Sequence, residues 1–188
     1  MAAEKLVVGL TGMPGAGKSL VTEVAQELGY SIVVMGDVVR EETCRRKLEL
    51  TPENVGKVML DLRRREGKSA IAKRTILRII ETQENKVLID GVRSLNEAEE
   101  FKRHFRKFSL IAMHASPETR FKRLHNRGRS DDSSSWEVFN QRDKRELSVG
   151  LGEVIAMAED ILINEEKKEI VKKNIKQTLE KVEEKWSR

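Results

Sequence analysis

Short apolar runs alternate with longer amphipathic stretches along this chain, and the alternation predicts its elements. Lys5 to Leu10 is an aliphatic run of strand length, and Lys18 to Leu28 then carries its apolar residues at helical spacing. Gly29 closes that helix in the usual C-terminal place. Ser31 to Met35 is a second strand, and Asp37 to Arg46 returns to helical spacing. Thr51 followed by Pro52 is a cap residue with proline in the first turn. From there to Thr82 the pattern is helical, with a break near Gly67. Lys86 to Asp90 is a third strand, Ser94 to His104 a helix and Phe108 to His114 a fourth strand. Ser116-Pro117-Glu118 opens a helix running to about Asn126. Arg127 to Ser135 is polar, with Gly128 and three consecutive serines, and predicts a mobile loop. Helical signal resumes at Trp136, Ile161 to Asn164 is a fifth short strand, and Glu166 to Trp186 is a last helix. Its Val171, Ile175, Leu179, Val182 and Trp186 share one face, which could pack on its own domain or on a second copy.

Strands alternating with helices predict an α/β fold, a parallel sheet covered on both faces. The chain of 188 residues suits one such domain, with no internal repeat and no linker. The helical stretch from Asp37 to Thr82 is long for one crossover, so residues 37–83 are expected to form a small subdomain over the sheet edge. Aromatics are only 4% of the chain, so Leu, Ile and Val must build the core. Charged residues reach 36%, which suits surface ion-pair networks or long solvated helices. A formal net charge of +5 favours phosphorylated ligands or nucleic acid, or reflects helices richer in Lys than Glu. Cys44 is the single cysteine, so no internal disulfide can form, and it has no metal-binding company. No signal peptide and no apolar run of membrane length is present, so a cytoplasmic protein without a membrane partner is expected.

The sharpest chemical signal lies between the first strand and the first helix. Gly12-Met13-Pro14-Gly15-Ala16-Gly17-Lys18-Ser19 fits G-x-x-x-x-G-K-[ST] in the strand-then-helix context that the motif needs. Glycines let the backbone curl so that successive N–H groups point into one concavity, and the helix N-terminus adds positive potential. Lys18 can reach the β- and γ-phosphates of ATP, and the Ser19 hydroxyl can ligate Mg²⁺. Asp90 ends an apolar strand, where P-loop proteins place their second Mg²⁺-side acid; it is also a residue type common in turns before glycine.

On the acceptor side, Asp37 and Arg40 are three apart at a helix start and share a face. The carboxylate could orient or deprotonate an acceptor, and the arginine could fork onto an acceptor phosphate. A helix cap with a surface ion pair has the same spacing. Arg123, Arg127 and Arg129, then Arg142 and Arg145, flank the polar loop. They could supply charge to a moving phosphoryl group from a closing lid, or form a solvated basic face. His104, His114 and His125 are scattered and receive no role; Trp136 and Trp186 are expected to pack.

With these residues the chain resembles nucleoside monophosphate kinases, adenylate kinase in particular. Gly36-Asp37-x-x-Arg40 looks like that family's G-D-x-x-R acceptor motif, Arg123-x-x-x-Arg127 is similar to the R-x-x-x-R at the start of its lid, and Arg142-Asp143 resembles the arginine–acid pair after it. Asp90-Gly91-Val92-Arg93 departs from the family's D-G-x-P-R: the proline is missing and the arginine comes one residue early. Ala158 to Asn164 is similar to the late strand of dephospho-coenzyme A kinase. As a whole the chain most closely resembles an archaeal family of predicted nucleotide kinases that carry Met-Gly-Asp-Val-Val-Arg-Glu and Arg-Gly-Arg-Ser-Asp-Asp, present here at Met35 to Glu41 and Arg127 to Asp132.

The resemblance implies a P-loop NTPase fold in three α/β/α layers, with a five-stranded parallel sheet, a helical acceptor subdomain and a short lid over residues 127–142. It implies ATP and Mg²⁺ as cofactors and a small, phosphate-bearing acceptor. Lys18, Asp37, Arg123, Arg127 and Arg142 become the catalytic candidates, Asp37, Arg40 and Arg93 the acceptor-binding ones, and Ser19 and Asp90 the metal side. The acceptor could be a nucleoside monophosphate or a hydroxyl such as that of dephospho-coenzyme A. A different class also fits the basic balance: a nucleotide-gated ATPase acting on RNA or a protein partner.

Overall fold

The computed structural model describes residues 4–127 and 135–187. Five strands, β1 (Leu6–Thr11), β2 (Ser31–Val34), β3 (Lys86–Asp90), β4 (Lys107–His114) and β5 (Asp160–Ile163), form one sheet in the order β2-β3-β1-β4-β5. Every pairing is parallel, with Leu10 level with Asp90 across β1 and β3. The central strand β1 is buried along its whole length, which explains its unbroken aliphatic run.

Alternation along the strands sends side chains to two separate cores. Leu6, Val8, Leu10, Leu88, Ile111 and Leu162 pack beneath α1 (Lys18–Glu27) and α9 (Lys168–Ser187). The predicted face of α9 is buried there, in its own chain, and Trp186 donates its indole N–H to Ser109 Oγ at 3.0 Å. Val7, Val87 and Ile89 point the other way, toward α2 (Met35–Arg45), α3 (Pro52–Glu66), α4 (Ala70–Glu81), α5 (Leu95–His104) and α8 (Leu151–Ala156). The result is three layers around a parallel sheet. On the flank of β4, α6 (Pro117–Arg127) and α7 (Trp136–Ser148) bracket residues 128–134. Residues 128–134, which hold Arg129, the interior of the predicted loop and part of the expected lid, therefore lie outside the described residues.

Two boundaries differ from the sequence pattern. The second strand stops at Val34, and Met35, read as strand, opens α2 with Asp37 in its first turn. An acidic residue there is favoured by the helix dipole. The last helical stretch before β5 is split into α7 and α8 at Gly150, whose φ of 101° no side-chain-bearing residue adopts easily. The predicted break at Gly67 is present, with φ 94°, and Thr51 caps α3 through its Oγ1, which accepts the Asn54 N–H at 3.2 Å.

Candidate nucleotide and acceptor site

The loop from Gly12 to Ser19 leaves the carboxyl end of β1 and enters α1. Gly12, Gly15 and Gly17 all have positive φ, and each is pressed against a neighbour. A Cβ on Gly12 would stand 2.3 Å from Met113 O, one on Gly15 2.7 Å from Arg120 O, and one on Gly17 2.0 Å from Asn164 Nδ2. The spacing of the motif is thus enforced twice, by backbone conformation and by packing against β4, α6 and the residue after β5.

Two residues that motif reading left without a role hold this loop in place. Asn164 donates its side-chain N–H to Ala16 O at 2.8 Å and is itself buried. Arg120, also buried, donates to Pro14 O at 3.2 Å and Ala115 O at 3.2 Å, and forks onto Asp143 of α7. Arg120 had a sequence signal: it lies four residues before Leu124, on the inward side of α6.

Lys18 folds back on the loop. Its ammonium donates to Gly12 O at 2.7 Å and Met13 O at 3.4 Å. Burial pulls its pKa down to about 8; Asp90 opposes that shift, and Arg93 and Arg142 add to it. Those charges therefore share one electrostatic neighbourhood, drawn from the start of α1, the end of β3 with the turn after it, and α7. Asp90 is held above the usual carboxylate range by burial, against the pull of Lys18 and Arg93, and Asp37 pushes in the same direction as burial. Asp90 Oδ1 is buried with no hydrogen-bond partner. An orphaned carboxylate oxygen in a polar cleft calls for a cation or a water. Together with the exposed Ser19 hydroxyl it supplies the hard oxygen donors that suit Mg²⁺. Among the described residues no cluster of three or more His, Cys, Asp or Glu could hold a metal by itself, so phosphate oxygens and water would have to complete its shell.

On the acceptor side, Asp37 and Arg40 pair with each other: Arg40 Nε donates to Asp37 Oδ1 at 3.1 Å, and its Nη2 reaches the same oxygen. Both are about half exposed. The N-cap of α2 is Val34, so Asp37 is not the cap. Arg93 is exposed, and its Nη1 faces Glu146 of α7 at 3.4 Å. Its backbone N–H donates to Glu97 at 2.9 Å, and fully buried Glu97 also receives Arg63 from α3 at 2.7 Å. Among the loop-flanking arginines, Arg123 donates to the backbone O (2.9 Å) and Oδ1 (3.2 Å) of Asn164, with Ala16 O at 3.5 Å. Arg127 ends α6, and Arg142 lies on α7 within electrostatic reach of Lys18.

A parallel sheet with a glycine cradle at its central strand defines the class, a P-loop domain of the kinase-like type. The sequence profile of the family described as an AAA domain matches residues 11–140. More particularly, the chain belongs to the UPF0200 family. It is 51% identical over 162 residues to UPF0200 protein MJ1399 of Methanocaldococcus jannaschii, covering 85% of this chain and 82% of that one. It is 46% identical over 181 residues to a UPF0200 protein of Thermococcus gammatolerans, covering 94% and 95%. Solved structures share the fold at low identity. A shikimate kinase of Bacteroides thetaiotaomicron aligns with TM-score 0.61 and 17% identity over 93% of this chain and 98% of that one. A gluconokinase of Sinorhizobium meliloti aligns with TM-score 0.58 and 14% identity over 98% and 97%. The described residues include no helix long and apolar enough to cross a membrane.

Proposed function

We propose that the protein is an ATP- and Mg²⁺-dependent phosphotransferase that moves the γ-phosphoryl group to a nucleotide or nucleotide-like small molecule. The observation that carries this reading is the pair Lys18 and Asp90: a lysine resting on the phosphate loop beside a buried carboxylate oxygen without a partner. The kinase names of the fold neighbours support a phosphotransferase.

In this reading the N–H groups of Gly12 to Ser19 hold the β- and γ-phosphates. Lys18 exchanges Gly12 O for phosphate oxygen, which favours its charged form. Ser19 and Asp90 hold Mg²⁺, which neutralises phosphate charge. The acceptor lies in the crevice over the ends of β2 and β3, beside Asp37, Arg40 and Arg93, where sheets of this kind bind ligands. Helices α2 to α4 form its wall. After exchange of their present partners, Arg123, Arg127 and Arg142 place positive charge around the moving group.

The test is ADP formation from ATP·Mg²⁺ with AMP, CMP, GMP, UMP, dTMP or dephospho-coenzyme A, against a control without acceptor. Large stimulation by one compound establishes the activity. A flat response together with hydrolysis stimulated by RNA, steeply dependent on salt, would replace this reading by a nucleotide-gated ATPase.

A further inference from the structure

Resting on the phosphotransferase reading, we propose that the acceptor is phosphorylated on a hydroxyl group, with Asp37 as its base, and not on a phosphate. The first argument is the balance of charge at the ends of β2 and β3. The arginines named there each face a carboxylate: Arg40 pairs with Asp37, Arg93 lies 3.4 Å from Glu146, and Arg63 lies 2.7 Å from Glu97. Lys18 rests on the phosphate loop itself, on the nucleotide side.

An acceptor phosphate is close to a dianion at neutral pH, because its second pKa lies near 6. It could displace Asp37 from Arg40, since half-exposed ion pairs are held weakly. The displaced carboxylates would nevertheless stay beside it as like charges. A neutral hydroxyl meets no such cost.

The second argument is the need for a base. A phosphate dianion is already a nucleophile and gains nothing from a neighbouring carboxylate. A hydroxyl must lose a proton as it attacks. Asp37 is half exposed and anchored by Arg40 on the first turn of α2, three residues after Val34, which is level with Asp90 across β2 and β3. In the step, the hydroxyl oxygen forms a bond to the γ-phosphorus. The bond from that phosphorus to the β,γ-bridging oxygen breaks, and its electron pair leaves with ADP. The hydroxyl proton passes to Asp37 and from there to water.

The experiment uses the full chain, ATP labelled with ³²P in the γ position, Mg²⁺, and the protein-free small-molecule fraction of an archaeal cell extract. New labelled products are boiled briefly in acid, which leaves phosphate monoesters intact and cleaves phosphoanhydrides. The expected result is acid-stable label, absent with Lys18→Ala. It should fall by about a hundredfold with Asp37→Asn, the scale of a lost general base. The Asp37→Asn protein must melt like wild type and still bind ATP, as a half-exposed position allows. Acid-labile label overturns the inference, and so does acid-stable label that Asp37→Asn forms as fast as wild type. No transfer from any fraction overturns the phosphotransferase reading beneath it, a result distinct from both.

Discussion

Arg120 and Asp143 form a two-pronged ion pair, 2.9 and 2.5 Å, that joins α6 to α7 against the phosphate loop. Arg120 is almost fully buried, lies over the Phe139 ring at 4.8 Å, and also donates to Pro14 O. One guanidinium thus fixes the loop, the end of β4 and the helix that carries Arg142. Breaking a buried pair leaves the other charge uncompensated and costs about 3–5 kcal/mol, whereas replacing both partners with apolar residues costs far less. Asp143→Ala should therefore lower unfolding stability in urea by about that much. The double variant Arg120→Met/Asp143→Leu should recover most of it while nucleotide affinity stays low, because Pro14 has lost its anchor. Full recovery of affinity in the double variant would mean that the pair serves stability alone.

Lys18 makes nucleotide binding depend on pH with a defined sign. Its pKa in the folded, nucleotide-free protein is about 8, against 10.5 as the ordinary value. Between these values the unfolded chain binds more protons than the folded one, so Lys18 contributes stability that rises with pH across that window. Below about 8 both states are protonated and the burial penalty is constant. Phosphates favour the ammonium form, so above that point nucleotide binding must take up a proton. Affinity for ADP should fall as pH rises beyond it, approaching about tenfold per pH unit. Calorimetry in two buffers of different ionisation enthalpy reads the uptake directly. No uptake on the alkaline side would remove Lys18 as the titrating group.

Glycine positions give opposite outcomes at two places in the chain. Gly17 has φ 97° and Asn164 Nδ2 in the space of a Cβ, so Gly17→Ala should displace the Asn164 clasp, destabilise the fold and abolish nucleotide binding. Gly56 lies inside α3 with nothing within 4 Å of its Cβ position and no positive φ. Gly56→Ala should raise stability by about 0.5–1 kcal/mol through helix propensity alone, with ATP affinity unchanged. Thermal melts and one nucleotide titration decide both.

The parts legible in the sequence are those whose signal is local. The phosphate loop, the strands as aliphatic runs and the Gly67 break each depend on a few neighbouring residues. The α2 start is obscured because Val33, Val34 and Met35 continue an apolar run across the boundary, and Met35 is buried in the core as the first residue of the helix. Arg120 was illegible as a loop anchor because Pro14 lies 106 residues away and Asp143 23 away. The place of Arg123 beside the polar loop suggests charge near the phosphates, yet the structure rests it on Asn164, 41 residues on. The spacing of Asp37 and Arg40 suits acceptor ligands and an ion pair equally, and in the structure the two are paired.

Glu97 ties the acceptor-side helix α3 to the turn that follows Asp90. Its Oε1 accepts from Arg63 at 2.7 Å and its Oε2 from the Arg93 N–H at 2.9 Å, while Ser94 Oγ accepts the Glu97 N–H at 3.4 Å. The sequence Ser94-x-x-Glu97 is a capping-box pattern, but here the carboxylate serves the residue before the cap and gains a partner from another helix. Arg63 Nη1 is buried without a partner, so this link is held at a cost. Glu97→Gln should destabilise the protein by about 3 kcal/mol, since the Arg63 charge loses its counterion. In Arg63→Met/Glu97→Met stability should largely return, but the turn from Asp90 to Arg93 loses its anchor. A fluorescent-nucleotide titration then separates two roles. If the anchor positions Asp90 for the metal, affinity for ATP with Mg²⁺ falls about tenfold, the scale seen when supports of metal ligands are removed, while affinity in excess chelator is unchanged. Equal loss with and without Mg²⁺ would place the effect in the phosphate loop as a whole, and no loss would confine Glu97 to holding α3 against α5.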